Sequence, residues 1–143
     1  MSQDEKLAVR NFMIKDVLTV NSYETLKQVA KKLYLRKVGS AIIPDDGKPS
    51  GIVTNRDIVN CIGSFDLPLD SPVSKIMSKP LVSITSGKSI LDAANTMNEK
   101  NIRKIPVIEQ GSLIGIISAS DLAVLLKIIE KEDLEKIVKP YVN

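Results

Sequence analysis

The chain has 143 residues, of which 43% are hydrophobic and 26% are charged, a composition typical of a folded protein of one ordinary domain or two small ones. Its net charge of +3 is small and aromatic residues make up only 3%, which argues against a nucleic-acid-binding face with stacking aromatic side chains. Histidine is absent and Cys61 is the only cysteine, which excludes the commonest general base, an internal disulfide and the usual zinc ligands.

The first predicted elements are a short strand and a helix. Residues 17–20 (VLTV) form an apolar run that predicts a strand, and Ser22 is predicted to be the N-cap of the helix that follows. The apolar residues of this helix recur at the i, i+3, i+4, i+7 spacing of one buried face: Leu26, Val29, Ala30 and Leu33.

A hairpin and a second helix complete the unit. Two apolar runs on either side of Asp46-Gly47 predict antiparallel strands joined by a tight turn, since glycine tolerates positive φ. The second strand ends in GIVTNRD (51–57), where apolar residues give way to polar ones and a helix is predicted after Thr54. The order is strand, helix, strand, strand, helix.

The same order recurs with a shift of 64 residues. The stretch GIISASD (115–121) echoes GIVTNRD, so that Gly51 matches Gly115 and Asp57 matches Asp121. We therefore predict two repeats at 9–63 and 73–130, a linker at 64–72 that is rich in Pro, Asp and Ser, and a C-terminal amphipathic helix at 131–143.

The second repeat contains every element of the first. Its strand is predicted at 81–84 (LVSI), its N-cap at Ser86, its turn at Gln110-Gly111 and its last helix after Ser118. The buried face of its first helix is formed by Ile90, Ala93, Ala94 and Met97. One repeat is too small to cover both faces of its sheet, so we expect the core to come from packing the two repeats against each other.

These residues resemble a pair of CBS domains, the arrangement called a Bateman module. The resemblance covers the chain from Val9 to about residue 129 and is most specific in the second repeat, at 76–84 (IMSKPLVSI) and 101–118 (NIRKIPVIEQGSLIGIIS). The first repeat departs from the pattern, with Asp16 in the place of Pro80 and Ile42 in the place of Pro106. The resemblance implies an α/β (α+β) fold of tandem βαββα repeats, packed sheet to sheet with pseudo-twofold symmetry.

The resemblance also implies ligand clefts between the repeats for AMP, ADP, ATP or S-adenosylmethionine. In this family the Asp of each T/S-x-x-D segment accepts hydrogen bonds from the ribose hydroxyls, and the Thr or Ser reaches a phosphate. Carboxylates only accept hydrogen bonds and therefore suit a diol, and helix N-termini attract phosphate.

Matched position by position, the first cleft would combine Thr54, Arg56, Asp57, Ser83, Arg103, Lys104, Ile105 and Pro106. The second cleft would combine Ser118, Ser120, Asp121, Thr19, Gly39, Ser40, Ala41 and Ile42. The first has three cations that can converge on phosphates, so we expect it to bind an adenine nucleotide more tightly.

Ordinary structural roles account for the same residues. Thr54 with Asp57, like Ser118 with Asp121, has the spacing of a helix capping box, and the same geometry can serve both a cap and a ligand. Arg103 and Lys104 precede a strand, and protection of an exposed strand edge is an equally weighted alternative to phosphate binding. The glycines are expected to serve turns and close packing, the methionines and Cys61 to fill the core.

The favoured function is a regulatory module that senses an adenosine-containing ligand, as an energy sensor for adenylates or for S-adenosylmethionine, and signals to a partner protein. The family resemblance also implies a homodimer. No signal peptide is recognisable and the longest apolar stretch, 122–129, is far shorter than the roughly 18 residues of a membrane span, so we expect a cytoplasmic protein.

Two other functions stay open. One is a structural or oligomerisation module whose clefts bind nothing, since a fold alone does not prove ligand binding. The other is a nucleotide-processing enzyme, which the absence of histidine and of a convincing nucleophile and base pair disfavours. We expect no catalytic residue, no metal site and no required cofactor.

Overall fold

The computed structural model describes residues 3–65 and 67–128, together with 135, 136 and 139. The predicted helix at 131–143 lies outside the described residues except at positions 135, 136 and 139. In chain order the described elements are α1 (Gln3–Lys6), α2 (Leu26–Arg36), β1 (Ser40–Asp45), β2 (Lys48–Thr54), α3 (Asn55–Asn60), α4 (Ile90–Lys100), β3 (Lys104–Glu109), β4 (Ser112–Ser118) and α5 (Ala119–Ile128). Single 3₁₀ turns lie at Val9–Asn11 and Val73–Lys75, and a π turn lies at Cys61–Phe65.

The two predicted hairpins are confirmed. Strand β1 pairs antiparallel with β2, and β3 pairs antiparallel with β4. Each turn has two successive residues with positive φ, 52° and 77° at Asp46 and Gly47, and 48° and 81° at Gln110 and Gly111. This is the type I′ geometry, whose twist matches that of the strands. Both hairpins also carry a register shift at the same place, after Ile43 in β1 and after Val107 in β3.

Helices α2 and α4 form where predicted, but their N-caps lie three residues later than predicted. Thr25 and Ser89 cap the helices, not Ser22 and Ser86. The Thr25 hydroxyl accepts from the Gln28 N–H at 3.1 Å, and the Gln28 side chain accepts in return from the Thr25 N–H at 2.9 Å. Ser89 forms the same reciprocal pair with Asp92. The reciprocal bonds decide the start, because a lone serine satisfies only one of the free backbone donors.

The predicted strands at 17–20 and 81–84 do not form as strands. Each segment makes a single parallel bridge to the hairpin beside it, Thr19 to Ile42 in the first repeat and Ile84 to Val107 in the second. In the first repeat Ile42 donates its N–H to the Leu18 carbonyl oxygen at 2.9 Å and accepts from the Val20 N–H at 3.0 Å. Pairing at one residue is too short for a strand, so each described sheet has two strands.

The buried hydrophobic residues form two separate clusters, one beside each hairpin, where the sequence predicted a core supplied by packing the two repeats against each other. The first core lies between hairpin β1–β2 and helices α2 and α3, and contains Leu18, Val20, Leu26, Val29, Leu33, Ala41, Ile43, Val53, Ile58, Cys61 and Val73. The second contains Val9, Ile90, Ala93, Met97, Ile105, Val107, Ile117 and Leu125. Each cluster also contains a residue of the other repeat, Val73 in the first and Val9 in the second, and β2 and β4 contact each other.

Each repeat packs its first residues against the other repeat. Val9 packs in the second core and donates its N–H to the Lys88 carbonyl oxygen at 2.7 Å. Val73 packs in the first core and donates to the Glu24 carbonyl oxygen at 2.8 Å. Farther along, Ile14 pairs with Ile116 and Ser78 pairs with Ile52. The two repeats therefore depend on each other through the exchanged segments 8–14 and 72–78.

Two glycines make this exchange possible. A Cβ atom built on Gly115 would lie 2.6 Å from the Met13 Sδ and 3.0 Å from the Ile14 carbonyl oxygen. At Gly51 the matching distance to the Met77 Sδ is 3.1 Å. Both glycines admit an exchanged segment against a strand, so their predicted close-packing role is confirmed.

Candidate ligand-binding site

The T/S-x-x-D segments are capping boxes in the structure. Thr54 ends β2 and accepts the Asp57 N–H on its hydroxyl at 3.1 Å, while an Asp57 carboxylate oxygen accepts the Thr54 N–H at 2.8 Å. Both residues are half-buried. A carboxylate has two oxygens and about four acceptor sites, so one backbone bond leaves Asp57 able to accept from a bound diol. The capping bond fixes the direction of the carboxylate and leaves it with further acceptor sites.

A cavity of about 280 Å³ opens beside Asp57 and is formed by both repeats. Strand β2 and helix α3 of the first repeat form one wall, and the residues that lead into β3 of the second repeat form the other. The lining residues are Ile52, Thr54, Asn55, Arg56, Asp57, Ser78, Asn101, Ile102, Arg103 and Lys104. The volume is close to the lower end, about 300 Å³, of ordinary small-molecule pockets. We call this cavity the first cleft.

Five of the eight residues that the sequence assigned to the first cleft line this cavity: Thr54, Arg56, Asp57, Arg103 and Lys104. The other three lie elsewhere. Ser83 is exposed and lines two separate surface depressions. Ile105 and Pro106 are fully buried in β3, so they can offer only backbone groups to a ligand.

Sequence reasoning missed several lining residues. Ser78 reaches the cavity because it lies on an exchanged segment, and no sequence period indicates that exchange. Asn101 is the C-cap of α4 and has a left-handed backbone, with φ of 53°. Asn101 and Ile102 directly precede the predicted Arg103. Their position next to a predicted site residue was the one signal that could have found them. Asn55 similarly lies between two predicted residues.

The cations of the first cleft differ in their surroundings. Arg56 and Arg103 are exposed and form no ion pair within the described part of the chain. Lys104 is half-buried, and its removal from water lowers the pKa of its ammonium below the usual value, while the Asp121 carboxylate partly offsets this by raising it. The two arginines therefore present uncompensated positive charge to the cavity.

The second predicted set has the same local geometry at its acidic end. The Ser118 hydroxyl accepts the Asp121 N–H at 3.1 Å, and an Asp121 carboxylate oxygen accepts the Ser118 N–H at 2.9 Å. Ser120 is exposed. We call the region of these residues and the first-repeat residues predicted to face them the second cleft.

The first-repeat side of the second cleft is mostly backbone. Ser40, Ala41 and Ile42 are buried on β1, and Thr19 is exposed and bridges to Ile42. Gly39 is half-buried, and a methyl group built on it would overlap the Lys104 ammonium. Lys104, which lines the first cleft, thus also lies beside a residue predicted for the second.

The described residues contain neither a cluster of metal-ligating side chains nor a helix that could span a membrane. They contain no group of three or more His, Cys, Asp or Glu side chains placed to hold a metal ion. None of their helices is long and apolar enough to cross a membrane.

Comparison with known proteins gives a consistent result. A model of the CBS domain matches the chain twice, at residues 9–64 and 73–128. The CBS domain-containing protein YhcV of Bacillus subtilis is 32% identical over 117 residues, which are 82% of this chain and 84% of YhcV. Other relatives are longer, and the chain covers 57% of one of them.

Solved structures share the fold. A CBS domain protein from Pyrobaculum aerophilum complexed with AMP matches with a TM-score of 0.77 at 26% identity, over 92% of this chain and 98% of that one. The CBS domain pair of protein MJ0100, in complex with 5′-methylthioadenosine and S-adenosyl-L-methionine, matches with a TM-score of 0.77 at 23% identity, over 84% and 95%. The predicted fold class, tandem repeats of mixed helix and strand, is confirmed.

Proposed function

This chain belongs to the CBS domain family, with two copies of the domain in tandem, and we propose that it is a regulatory module that binds an adenosine-containing ligand and signals its presence to a partner protein. Both solved structures described above contain adenosine derivatives. The observation that carries the proposal is the composite first cleft, where Asp57 of one repeat and Arg103 of the other line a single cavity.

The chemistry of the first cleft suits a nucleotide. Asp57 is held by its capping bond with acceptor capacity left for the two ribose hydroxyls. Arg56 and Arg103 offer planar guanidinium groups that bind phosphate through two parallel hydrogen bonds. An acceptor and two cations in one cavity match the ribose and the phosphate of one ligand.

The same charges favour a nucleotide over S-adenosylmethionine in the first cleft. S-adenosylmethionine carries a sulfonium cation where a nucleotide carries its phosphate, and the uncompensated charges of Arg56 and Arg103 repel it. We therefore place AMP, ADP or ATP in the first cleft. The second cleft, which has hydroxyl groups and Gly39 in the equivalent places, suits a less charged adenosine derivative.

Regulation would operate by linkage. The first cleft is shared by two repeats, each with its own core, so a ligand can favour one relative orientation of the repeats over another. It shifts that equilibrium only by its difference in affinity for the two orientations. We assign the two repeats to 9–63 and 73–130, joined by 64–72, with the exchanged segments 8–14 and 72–78 moving with the core that each enters.

The first experiment is a thermal-shift panel of AMP, ADP, ATP, S-adenosylmethionine and NAD. A ligand present at about 100 times its dissociation constant adds roughly 2.7 kcal/mol to the free energy of unfolding, which is readily visible. We expect AMP, ADP or ATP to raise the melting temperature. If none of the five compounds changes it, a structural module with empty clefts becomes the better description.

We propose that the chain does not act on its ligand. Among the described residues that line the first cleft, Asp57 is the one carboxylate, its capping bond ties it to Thr54, and the lining contains no histidine or cysteine. A paired acid and base with separated pKa values is the usual sign of general acid–base chemistry. Incubation with ATP followed by chromatography tests this, and release of ADP, AMP or phosphate at the rate of an enzyme would establish catalysis instead.

A homodimer is also part of the proposal. Helices α3 and α5 close their repeats, and both present exposed apolar side chains, Val59 on α3 and Val124 on α5, with Ile62 in the π turn after α3. We place the contact between copies on these helices. Light scattering of the wild-type chain and of a Val59→Asp, Val124→Asp double variant tests it, since buried charge opposes association. An unchanged dimer mass in the variant would locate the contact elsewhere.

A further inference from the structure

Lys104 occupies a position between the two clefts. It is the first residue of β3 and lines the first cleft. Its partner across the β3–β4 ladder is Ser118, the capping residue of the second cleft. Its ammonium lies over Gly39 of the first repeat, which belongs to the predicted second cleft. The Asn55 side-chain nitrogen lies 3.6 Å from the position that a Cβ atom on Gly39 would occupy.

The charge environment of Lys104 agrees with this position. Burial lowers the pKa of the ammonium, and the one side-chain charge that acts appreciably against this is Asp121 of the second cleft. The Asp57 carboxylate lines the same cavity as Lys104 but forms no ion pair with it. Lys104 forms no ion pair within 4.0 Å among the described residues, so its ammonium is attracted toward Asp121 without being held there.

The arrangement has no counterpart across the pseudo-twofold axis. The position equivalent to Lys104 in the first repeat is Ser40, which is buried, and the position equivalent to Gly39 is Arg103. A long cation can therefore cross in one direction only, and the missing side chain at Gly39 provides the room for it. Lysine suits this role because its ammonium is a compact charge on a flexible stem.

We propose that Lys104 couples the two clefts, so that an anion bound in the first cleft draws its ammonium away from Asp121 and Gly39 and thereby raises the affinity of the second cleft for a ribose-bearing ligand. The coupling rests on the proposed ligand-binding function. An ammonium attracted toward Asp121 competes with the ribose hydroxyls for that carboxylate, and over Gly39 it occupies space that a ligand in the second cleft would need. By linkage, a ligand in the second cleft raises the affinity of the first for anions by the same factor.

The test uses adenosine as a neutral probe and inorganic pyrophosphate as an anion without a nucleoside. An Asp57→Ala background removes the ribose acceptor of the first cleft, so adenosine then reports on the second cleft while Arg56 and Arg103 still attract pyrophosphate. Calorimetry measures the dissociation constant of adenosine with pyrophosphate and with sodium chloride of equal ionic strength. We expect pyrophosphate to tighten adenosine binding on the order of fivefold, the lower end of ordinary allosteric coupling.

Two further variants in the same background complete the test. Lys104→Met should bind adenosine tightly from the start and lose the response to pyrophosphate. Lys100→Met, which removes an equal charge from the exposed end of α4, should keep the response. A response that survives in Lys104→Met, or adenosine binding that never responds, refutes the coupling alone. Failure of the wild-type chain to bind any adenosine compound refutes the proposed function and the coupling with it.

A ligand-free measurement checks the charge link separately. NMR titration of the Lys104 side chain should show a lower pKa in Asp121→Asn than in the wild-type chain, because the offsetting carboxylate is lost, and no change in Asp57→Asn. Both variants keep a side-chain oxygen for the capping bond, so they are matched structurally. A larger effect from Asp57→Asn would assign Lys104 to the first cleft alone and overturn the coupling.

Discussion

The two repeats share one backbone design and differ where the clefts are lined. Both have a capping box at the last helix, a type I′ turn, a bulge in the same place and an exchanged segment packed on a glycine. They differ just before and at the start of the hairpin, where the first repeat has Gly39 and Ser40 and the second has Arg103 and Lys104. The repeated positions satisfy backbone geometry, and two of the divergent residues, Arg103 and Lys104, line the first cleft.

This difference separates fold from ligand chemistry. A glycine such as Gly115 cannot change without disturbing an exchanged segment, because the nearest atoms include a backbone oxygen. Arg103 is exposed and can change without any cost to packing. A symmetric scaffold therefore carries a first cleft lined by cations that form no ion pair among the described residues, while at the predicted second site the Lys104 ammonium lies over Gly39.

The largest expected difference between the clefts is in nucleotide binding. Asp57→Ala should weaken AMP binding by roughly 10- to 150-fold, since hydrogen bonds to a charged group contribute about 1.5–3 kcal/mol. Asp121→Ala should have a much smaller effect. Both variants lose the same cap, so their stabilities should match and calorimetric titration with AMP isolates the binding effect. A greater loss of AMP affinity in Asp121→Ala would reverse the ranking of the clefts.

The next effect concerns the packing of the exchanged segments. Gly115→Ala should lower the free energy of unfolding by about 2 kcal/mol, because its new methyl group meets the Ile14 carbonyl oxygen as well as Met13. Gly51→Ala should cost about 1 kcal/mol, since its contacts, 3.1 Å to the Met77 Sδ and 3.3 Å to the Ser78 carbonyl oxygen, are longer. Urea unfolding measures both, with Gly63→Ala, where a Cβ meets nothing within 4 Å, as the control. Equal losses at the two glycines would contradict the contact geometry.

A smaller effect should distinguish the charges of the first cleft. Arg103→Gln should weaken AMP binding about three- to fivefold and leave adenosine binding unchanged, because an exposed cation contributes up to about 1 kcal/mol to an ion pair. The effect on AMP should shrink as salt concentration rises. Lys100→Met is the control for loss of a distant positive charge. If Arg103→Gln weakened adenosine as much as AMP, the residue would contact the nucleoside and not the phosphate.

The smallest effect is a difference in acid sensitivity. The Ser86 hydroxyl and N–H both donate to Glu109 at 2.6 Å and hold the pKa of that carboxyl below its usual value. A depressed carboxyl pKa stabilises the fold above the ordinary glutamate value, about 4.3, and this stabilisation is lost as pH falls through the folded-state value. Ser86→Ala should therefore make stability fall less steeply below about pH 4.3.

The first repeat offers the control for this measurement. Ser22 and Asp45 occupy the equivalent positions, and no hydrogen bond joins their side chains in the described residues. Ser22→Ala should leave the pH dependence of stability unchanged, as followed by urea unfolding between pH 3 and pH 6, a range chosen around the ordinary glutamate value of about 4.3. Equal changes in the two variants would show that the Glu109 hydrogen bonds are not the cause.

The sequence predicted best those features that depend on neighbours along the chain. The apolar face of α2, with Leu26, Val29 and Leu33 buried, and the turn at Asp46-Gly47 follow from periods and dihedral preferences within a few residues. The predicted N-cap of α2 is wrong by three residues because Ser22 and Thr25 are both suitable capping residues. The reciprocal bonds between Thr25 and Gln28 decide between them. The strand at 17–20 failed because its length depends on the hairpin it meets.

The sequence by itself thus determined two βαββα-like repeats, the acids that begin their last helices and the cations available to one cleft, since each arises from local spacing and residue type. Only the tertiary structure decided that segments 8–14 and 72–78 are exchanged between the repeats. It also decided that Ser78 lines the first cleft and Ser83 does not, and that the Lys104 ammonium lies over Gly39. These facts join residues far apart in the chain, and their distances depend on how two separately packed cores meet, which no short-range pattern records.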